Sequence, residues 1–200
     1  MHQRWPKHSG DTASLVRICE GLPGETAVAA AGRWIGADEL PEPFDRLLVH
    51  EAHMTERLAA YHGRPVALRV LAECRRADVY RRKIVLTLAG TDRVVELGVV
   101  RIDLSAIPEA ARDDILKGQR PLGAVLIDQA VLRRIQPRGY LRFRGADGLA
   151  GAFGVPVPHN IFGRCGTIHC HDVPAIELLE IVTGVAGKRD AAYSASERRP

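Results

Sequence analysis

The stretch IFGRCGTIHCHDVPAIELLEIV, residues 161–182, decides the fold, because two β-like runs flank a short turn at residues 171–174. Side chains alternate between the two faces of a strand, which places Arg164 on the more apolar face of the first run. By the same alternation, Glu180 falls among aliphatic neighbours in the second run. The stretch therefore predicts an antiparallel hairpin with an inward arginine and an inward carboxylate. The alternative for Glu180 is a solvent-exposed position at a sheet edge.

A third inward charge is predicted in residues 80–88, YRRKIVLTL. Arg82 shares its strand face with three aliphatic residues, whereas Arg81 and Lys83 take the opposite, polar face. Two arginines and a glutamate on the interior side of a sheet are typical of a closed pocket for a small anionic ligand, since a guanidinium group matches a carboxylate. A buried structural ion pair or triad fits the pattern equally well.

Length and composition indicate one globular domain. The chain has 200 residues, a net charge of +4 and 5% aromatic residues, with a pI near 9.1. Basic and aromatic residues are not interleaved, so a nucleic-acid surface is not predicted, and no apolar run reaches the roughly 20 residues of a membrane span. We predict a soluble, cytoplasmic monomer with a disordered leader (1–12), one domain (13–183) and a disordered tail (184–200).

The cysteines lack the spacing of a zinc ribbon, so reduced thiols are predicted. They are Cys19, Cys74, Cys165 and Cys170. Cys165, His169 and His171 share one face of a strand, which makes a metal site geometrically possible. No second group of ligands completes the coordination, and we therefore predict neither a metal nor a cofactor.

The rest of the chain alternates between helix-like and strand-like segments. Helices are predicted over residues 13–22, from 43, over 54–61 and over 104–117, and strands over 66–76, 80–88, 93–104 and up to 143. The three central strands form an antiparallel meander. Residues 24–36 are rich in alanine and glycine and fit either state.

Two connecting segments are candidates for parts of the predicted pocket. Pro121 suits the first turn of a short helix, which would leave the backbone N–H groups of Leu122 and Gly123 free to receive an anion; a plain turn between two helices is the alternative. Residues 144–159 are rich in glycine and proline without periodicity. They are predicted to form a mobile loop over the pocket, a candidate lid.

Four segments together resemble a known family. They are LLVHEAHMTERLAAYHGRPVALRVL (47–71), YRRKIVLTLAG (80–90), GQRPLGAVLI (118–127) and FGRCGTIHCHDVPAIELLEIV (162–182). Their order and spacing are similar to those of the chorismate pyruvate-lyase superfamily, especially its uncharacterised actinobacterial and cyanobacterial branch. The resemblance spans about residues 47–182.

The resemblance implies an α+β fold, with a single antiparallel sheet of about six strands flanked by helices and a buried ligand cavity. It also implies elimination of pyruvate from chorismate to give 4-hydroxybenzoate or a related hydroxybenzoate, without cofactor or metal. On this basis Arg82 and the backbone at Leu122 and Gly123 would bind the ring carboxylate. Glu180 would contact the far end of the ring, with Arg82 and Glu180 as catalytic residues. Arg164 would hold the enolpyruvyl carboxylate or balance the charge of Glu180.

The chain also departs from the family pattern. An arginine that follows a strand glycine in the better-known lyases is absent, and its function is either lost or moved to Arg101. We therefore keep two alternatives to the lyase: an enzyme that cyclises or isomerises another carboxylate, and a non-catalytic small-molecule-binding protein. Against a transcriptional sensor, the sequence shows no basic winged-helix segment.

Overall fold

A computed structural model describes residues 12–144, 146–155, 157–158 and 160–183. It contains one antiparallel sheet with the strand order β1-β5-β6-β7-β4-β3-β2. The strands are Gly32–Ile35 (β1), Val66–Arg76 (β2), Val79–Leu88 (β3), Val94–Asp103 (β4), Arg133–Arg144 (β5), Asn160–Cys170 (β6) and Val173–Val182 (β7). The predicted fold class is confirmed. The seventh strand is the short edge strand β1, which lies within the segment that the sequence left ambiguous.

Helices cover both faces of this sheet. They are Thr12–Cys19 (α1), Glu25–Ala31 (α2), Phe44–Leu48 (α3), Met54–His62 (α4), Glu109–Leu116 (α5), Leu122–Asp128 (α6) and Ala146–Phe153 (α7), with short 3-10 turns at Ala37–Glu39 and Leu104–Ala106. None of the helices in the described residues is long and apolar enough to cross a membrane. The predictions for the leader and the tail concern chain ends that lie largely outside the described residues, and the domain boundaries stay predictions.

The two faces of the sheet carry different packing. On the face that includes Val85 and Leu179, which we call the back face, α1, α2 and α7 pack in one apolar cluster. On the face that includes Ile84 and Leu178, which we call the cavity face, α3 and α4 pack in a second cluster and α5 and α6 in a third. Burial of apolar area on both faces is the main stabilising contribution to such a three-layer arrangement.

The polar side of β3 is buried as well. Arg81 and Lys83 lie on the back face, 5% and 3% exposed. Each is satisfied by the layer of helices above it, since Arg81 Nη2 lies 2.6 Å from Glu20 Oε2 and Lys83 Nζ donates to Pro23 O at 2.6 Å. Charged side chains are tolerated at this depth only with such partners. Alternation assigned the right face to each residue but did not indicate that helices cover this face.

The prediction of a mobile lid at residues 144–159 is wrong. Residues 146–153 form helix α7, and its Leu149 and Phe153 are buried in the back-face cluster. These two residues are four apart and therefore share one helix face, a spacing that the surrounding glycines and prolines hid. The segment covers the sheet on the side opposite the cavity and cannot close over it.

The hairpin of β6 and β7 has the predicted form. Arg164 pairs directly with Glu180 across the two strands, and β7 is the fourth of the seven strands, at the centre of the sheet. The turn holds His171 and Asp172 at φ values of 50° and 64°, a left-handed pair that matches the twist of a tight hairpin. The central position excludes the solvent-exposed edge considered for Glu180.

Candidate functional site

A cavity of about 60 Å³ lies between the cavity face of the sheet and the first turns of α4 and α6. The strands contribute Arg82 from β3, Glu96 and Gly98 from β4, and Glu180 from β7. The helices contribute residues 53–55 and 121–123. The predicted residues Arg82, Leu122, Gly123 and Glu180 thus surround one space, although they come from three separate segments of the chain.

Two glycines keep this space open. A Cβ atom at Gly98 would lie 2.8 Å from Ile84 Cδ1, and a Cβ atom at Gly123 would lie 2.7 Å from His53 Nδ1. Both distances are shorter than van der Waals contact. At Gly123 a side chain would meet the ring of His53, whereas at Gly98 the end of the Ile84 side chain would have to move to make room for one.

Arg82 is a cavity residue with unsatisfied hydrogen-bond donors. It is 2% exposed, and its Nε and Nη1 atoms have no hydrogen-bond partner in the described part of the chain. Burial lowers the pKa of Arg82, while Tyr80 and Glu73 act in the opposite direction. Since guanidinium groups remain protonated in proteins, Arg82 is a buried cation with free donors. Such a group is costly unless an anion is bound beside it.

Arg164, by contrast, has its partners within the protein. It is 1% exposed, and its Nε donates to Glu180 Oε2 at 2.6 Å. Its Nη1 donates to His50 O at 2.7 Å, and its Nη2 donates to Ala52 O at 3.2 Å. The side chain therefore neutralises Glu180 and fixes the loop before α4. This geometry fits the role in which Arg164 balances the charge of Glu180. It does not fit the role in which Arg164 binds a second carboxylate of the ligand.

His50 completes this fixed loop. Its Nε2 lies 2.7 Å from the Leu47 carbonyl oxygen, which can only accept, so Nε2 carries the proton. Its Nδ1 accepts from the Ala52 N–H at 3.2 Å and faces Arg164 Nη1 at 3.1 Å. Burial, together with the charge of Arg164, lowers the pKa of His50 to about 4. The ring is thus neutral and held in one tautomer.

His53 lies at the roof of the cavity. Arg133 Nε donates to His53 Nε2 at 2.9 Å, so the neutral ring carries its proton on Nδ1, the atom beside Gly123. Burial and the charge of Arg133 lower the pKa of His53. Its only basic lone pair is therefore occupied by Arg133.

Glu96 is a cavity residue that the sequence reasoning missed. It is 3% exposed, and its Oε2 atom has no hydrogen-bond partner among the residues described. Burial raises the pKa of Glu96 well above its usual value, and the Glu180 charge adds to this effect while Arg164 opposes it. The signal was present in the sequence, because Glu96 alternates with Gly98 and Val100 as Arg82 does with its own neighbours.

Other sequence candidates lie away from the cavity. Arg101 Nη1 pairs with Glu177 Oε2 at 3.2 Å, and Arg17 of α1 also pairs with Glu177, so Arg101 belongs to the back face. Among the described residues, no three His, Cys, Asp or Glu side chains are placed to hold a metal ion. Cys165 is buried in the back-face cluster, and all four cysteines are free.

The charges of the cavity sum to a single positive charge. Arg164 and Glu180 cancel each other, and burial together with the Glu180 charge raises the pKa of Glu96 and favours its protonated form. Arg82 then has no carboxylate at ion-pair distance in the described part of the chain, and Glu73, its partner across β2 and β3, acts on it only through charge. Chorismate carries two carboxylates, and the space of about 60 Å³ is several-fold below the roughly 300–1,000 Å³ of pockets for larger ligands.

Comparison with models of protein families finds no match, and comparison with curated proteins finds none either. Solved structures with a similar chain trace include PhnF from Mycobacterium smegmatis, with a TM-score of 0.49 and 16% identity over 68% of this chain and 65% of that one. The ligand-binding domain of a putative GntR-family transcriptional regulator from Bordetella bronchiseptica has a TM-score of 0.46 and 10% identity over 60% of this chain and 86% of that one. The chain thus spans just under two thirds of full-length PhnF.

The prediction of a chorismate lyase is corrected by these findings. The similar structures are named as transcriptional regulators or as their effector and ligand-binding domains, which are not lyases. The single uncompensated charge and the small cavity are also at odds with chorismate as the substrate. The predicted α+β fold with one antiparallel sheet is retained, and the prediction of lyase activity is withdrawn.

Proposed function

We propose that this chain binds a small monocarboxylate in the cavity and does not convert it. The observation that carries the proposal is Arg82, a cation 2% exposed whose Nε and Nη1 donors are unpaired among the described residues. A carboxylate supplies both the charge and the acceptors that this side chain lacks.

The number of charges supports a monoanion. One bound carboxylate brings the cavity to neutrality, whereas a second would meet Arg164, which Glu180 already neutralises at 2.6 Å. An uncompensated anion at this depth would cost several kcal/mol.

The size of the cavity supports a small ligand. A volume of about 60 Å³ is several-fold below the roughly 300–1,000 Å³ of pockets for drug-sized ligands. It favours acids with few non-hydrogen atoms, such as acetate, propionate and butyrate. The predicted roles of the Leu122 and Gly123 backbone fit the same ligand and stay predictions.

The protonation states of the cavity support binding without turnover. General base catalysis requires a free lone pair that faces the ligand. The His53 lone pair accepts from Arg133, the Oε2 atom of Glu180 accepts from Arg164, and burial favours the protonated form of Glu96. The ionisable groups therefore suit recognition rather than proton transfer.

The test is a thermal-shift and calorimetric titration with acetate, propionate and butyrate, using the corresponding amides as neutral controls. We expect the acids to raise the melting temperature with the logarithm of one plus the ratio of ligand concentration to Kd, and the amides to have no effect. Arg82→Met should abolish the shift, and Arg69→Met, which removes an exposed arginine of the neighbouring strand β2, should retain it.

Three results would overturn the proposal. Equal shifts from acids and amides, or an unchanged shift in a folded Arg82→Met variant, would remove the role of Arg82. A new product in the NMR spectrum of the incubated ligand would contradict binding without conversion. Methionine replaces the arginine without leaving a buried unpaired donor, so the variant is expected to fold.

A further inference from the structure

The residue beside Arg82 that the proposed function leaves unused is Glu96. Its Oε2 atom is buried and unpartnered within the described ranges, and its side chain lines the same cavity. Buried carboxyl oxygens are rarely left without a hydrogen bond. A bound ligand can supply this missing hydrogen-bond partner.

The strand register places Glu96 at a distance from Arg82 that a small ligand can bridge. Arg82 pairs with Val100, which is about 13 Å along β4 from Glu96 at the rise of a strand. The Glu96 carboxyl leans back over Gly98, since its Oε1 lies 3.4 Å from the Cβ position there. This lean shortens the gap along the strand to about 7 Å.

The surroundings of Glu96 favour its protonated form. Glu180 is its diagonal neighbour, because Glu180 pairs with Gly98 and Glu96 pairs with Val182. A second negative carboxylate next to Glu180, at 3% exposure, would meet repulsion and the cost of burial, and only Arg164 acts against these two effects. A protonated carboxyl group has one O–H donor to offer.

We infer that Glu96 donates a hydrogen bond to the bound ligand, so that the cavity selects monocarboxylates with an oxygen acceptor on the third or fourth atom of their chain. Hydroxy acids and alkoxy acids of about six non-hydrogen atoms belong to this class. The inference rests on the proposed function, since Arg82 is taken to hold the carboxylate end.

Four acids of the same size test it. Butyrate, methoxyacetate, 3-hydroxypropanoate and N-methylglycine each have six non-hydrogen atoms. Relative to butyrate, methoxyacetate replaces one CH₂ with an ether oxygen that only accepts, 3-hydroxypropanoate carries its oxygen one atom further, and N-methylglycine carries a cationic donor. Calorimetric titration of the full chain at pH 7 should give about tenfold tighter binding for at least one oxygen acid than for butyrate, the effect of one added hydrogen bond.

Variants of Glu96 distinguish its role as a hydrogen-bond donor from the effect of a negative charge at this position. Glu96→Gln keeps an N–H donor and should keep the preference for the oxygen acid, whereas Glu96→Met should reduce the affinity ratio to about one. Glu109→Met, which removes an exposed carboxylate on α5, is the matched control and should leave the ratio unchanged.

The outcomes distinguish the two levels of the proposal. Binding of all four acids through Arg82 without preference for oxygen overturns the role of Glu96 alone. Tightest binding of N-methylglycine shows an ionised Glu96 and also overturns it. If none of the four acids and none of the shorter acids binds, the proposed function and the inference both fail.

Discussion

Arg164 is the residue on which the position of Glu180 depends. It is almost fully buried and links β6 to β7 and to the loop before α4 through donors on Nε, Nη1 and Nη2. Removal of one partner from a buried ion pair leaves the other charge uncompensated. Replacing Arg164 should therefore cost several-fold more folding stability than replacing one partner of an exposed ion pair.

We expect Arg164→Met to lower the free energy of unfolding by about 3–5 kcal/mol, measured by urea denaturation. The double variant Arg164→Met/Glu180→Leu should recover part of this loss, because the orphaned carboxylate is then absent. A loss below about 1 kcal/mol in the single variant, as for an exposed pair, would contradict the assignment. Arg69→Met on the exposed edge strand is the control.

At this scale, sequence alternation placed Arg82, Arg164 and Glu180 on one face correctly. It did not predict which of the two arginines pairs with Glu180, because the partner depends on the register of β6 against β7 and on the loop that Arg164 holds. Glu96 obeys the same alternation. A single acid among valines in a strand carries no local sign that it faces a cavity.

Among the elements, α7 depends on one lysine of the sheet. Lys83 Nζ donates to Pro23 O and to Ala152 O near the end of α7, and it lies 5.4 Å from the centre of the Phe153 ring. The lysine thus joins β3 to the two segments above it. Its contacts are to carbonyl oxygens and an aromatic face, both of which favour a cation.

We expect Lys83→Met to destabilise the chain by about 1–3 kcal/mol and to increase amide hydrogen exchange in α7 more than in the central strand β7. Mass spectrometry of exchanged peptides measures both segments in one experiment. Lys117→Met, at an exposed lysine after α5, should leave the exchange of α7 unchanged. Equal acceleration of α7 and β7 would show that Lys83 does not hold α7 locally.

The sequence predicted the elements best where periodicity was strong. The helix α4, its end at Gly63 and the meander of β2, β3 and β4 lie close to the predicted bounds. The segment that forms α7 was predicted as a loop because its glycines lower helix propensity. Packing of Leu149 and Phe153 on the sheet outweighs that preference, and such a tertiary contribution is absent from local sequence.

For the molecule as a whole, the neutral histidine in the loop before α4 links stability to pH. The native pKa of His50 is about 4, whereas its ordinary value is 6.5. Between these values the unfolded chain binds more protons than the native chain, so stability increases with pH across this window. The stability that depends on a neutral His50 is lost as pH falls from 6.5 towards 4.

We expect the wild type to lose about 2–3 kcal/mol more stability than His50→Gln between pH 7 and pH 4.5, measured by urea denaturation at each pH. Glutamine retains a donor for the Leu47 carbonyl and an acceptor for Arg164 but does not titrate. His171→Asn, in the exposed turn of β6 and β7, should keep the wild-type dependence. If the free energy of unfolding falls equally with pH in the wild type and in His50→Gln, the neutral state of His50 is contradicted.

The space above Gly98 has an evolutionary consequence. Any glycine codon becomes an alanine codon by one base change, and the added Cβ would lie 2.8 Å from Ile84 and 3.4 Å from the Glu96 carboxyl. A descendant could thus lose its ligand in one mutational step while every charged group of the site stays in the sequence. Relatives that retain Arg82 and Glu180 would not all share a ligand, and the residue at position 98 is the first to inspect when a ligand is transferred between them.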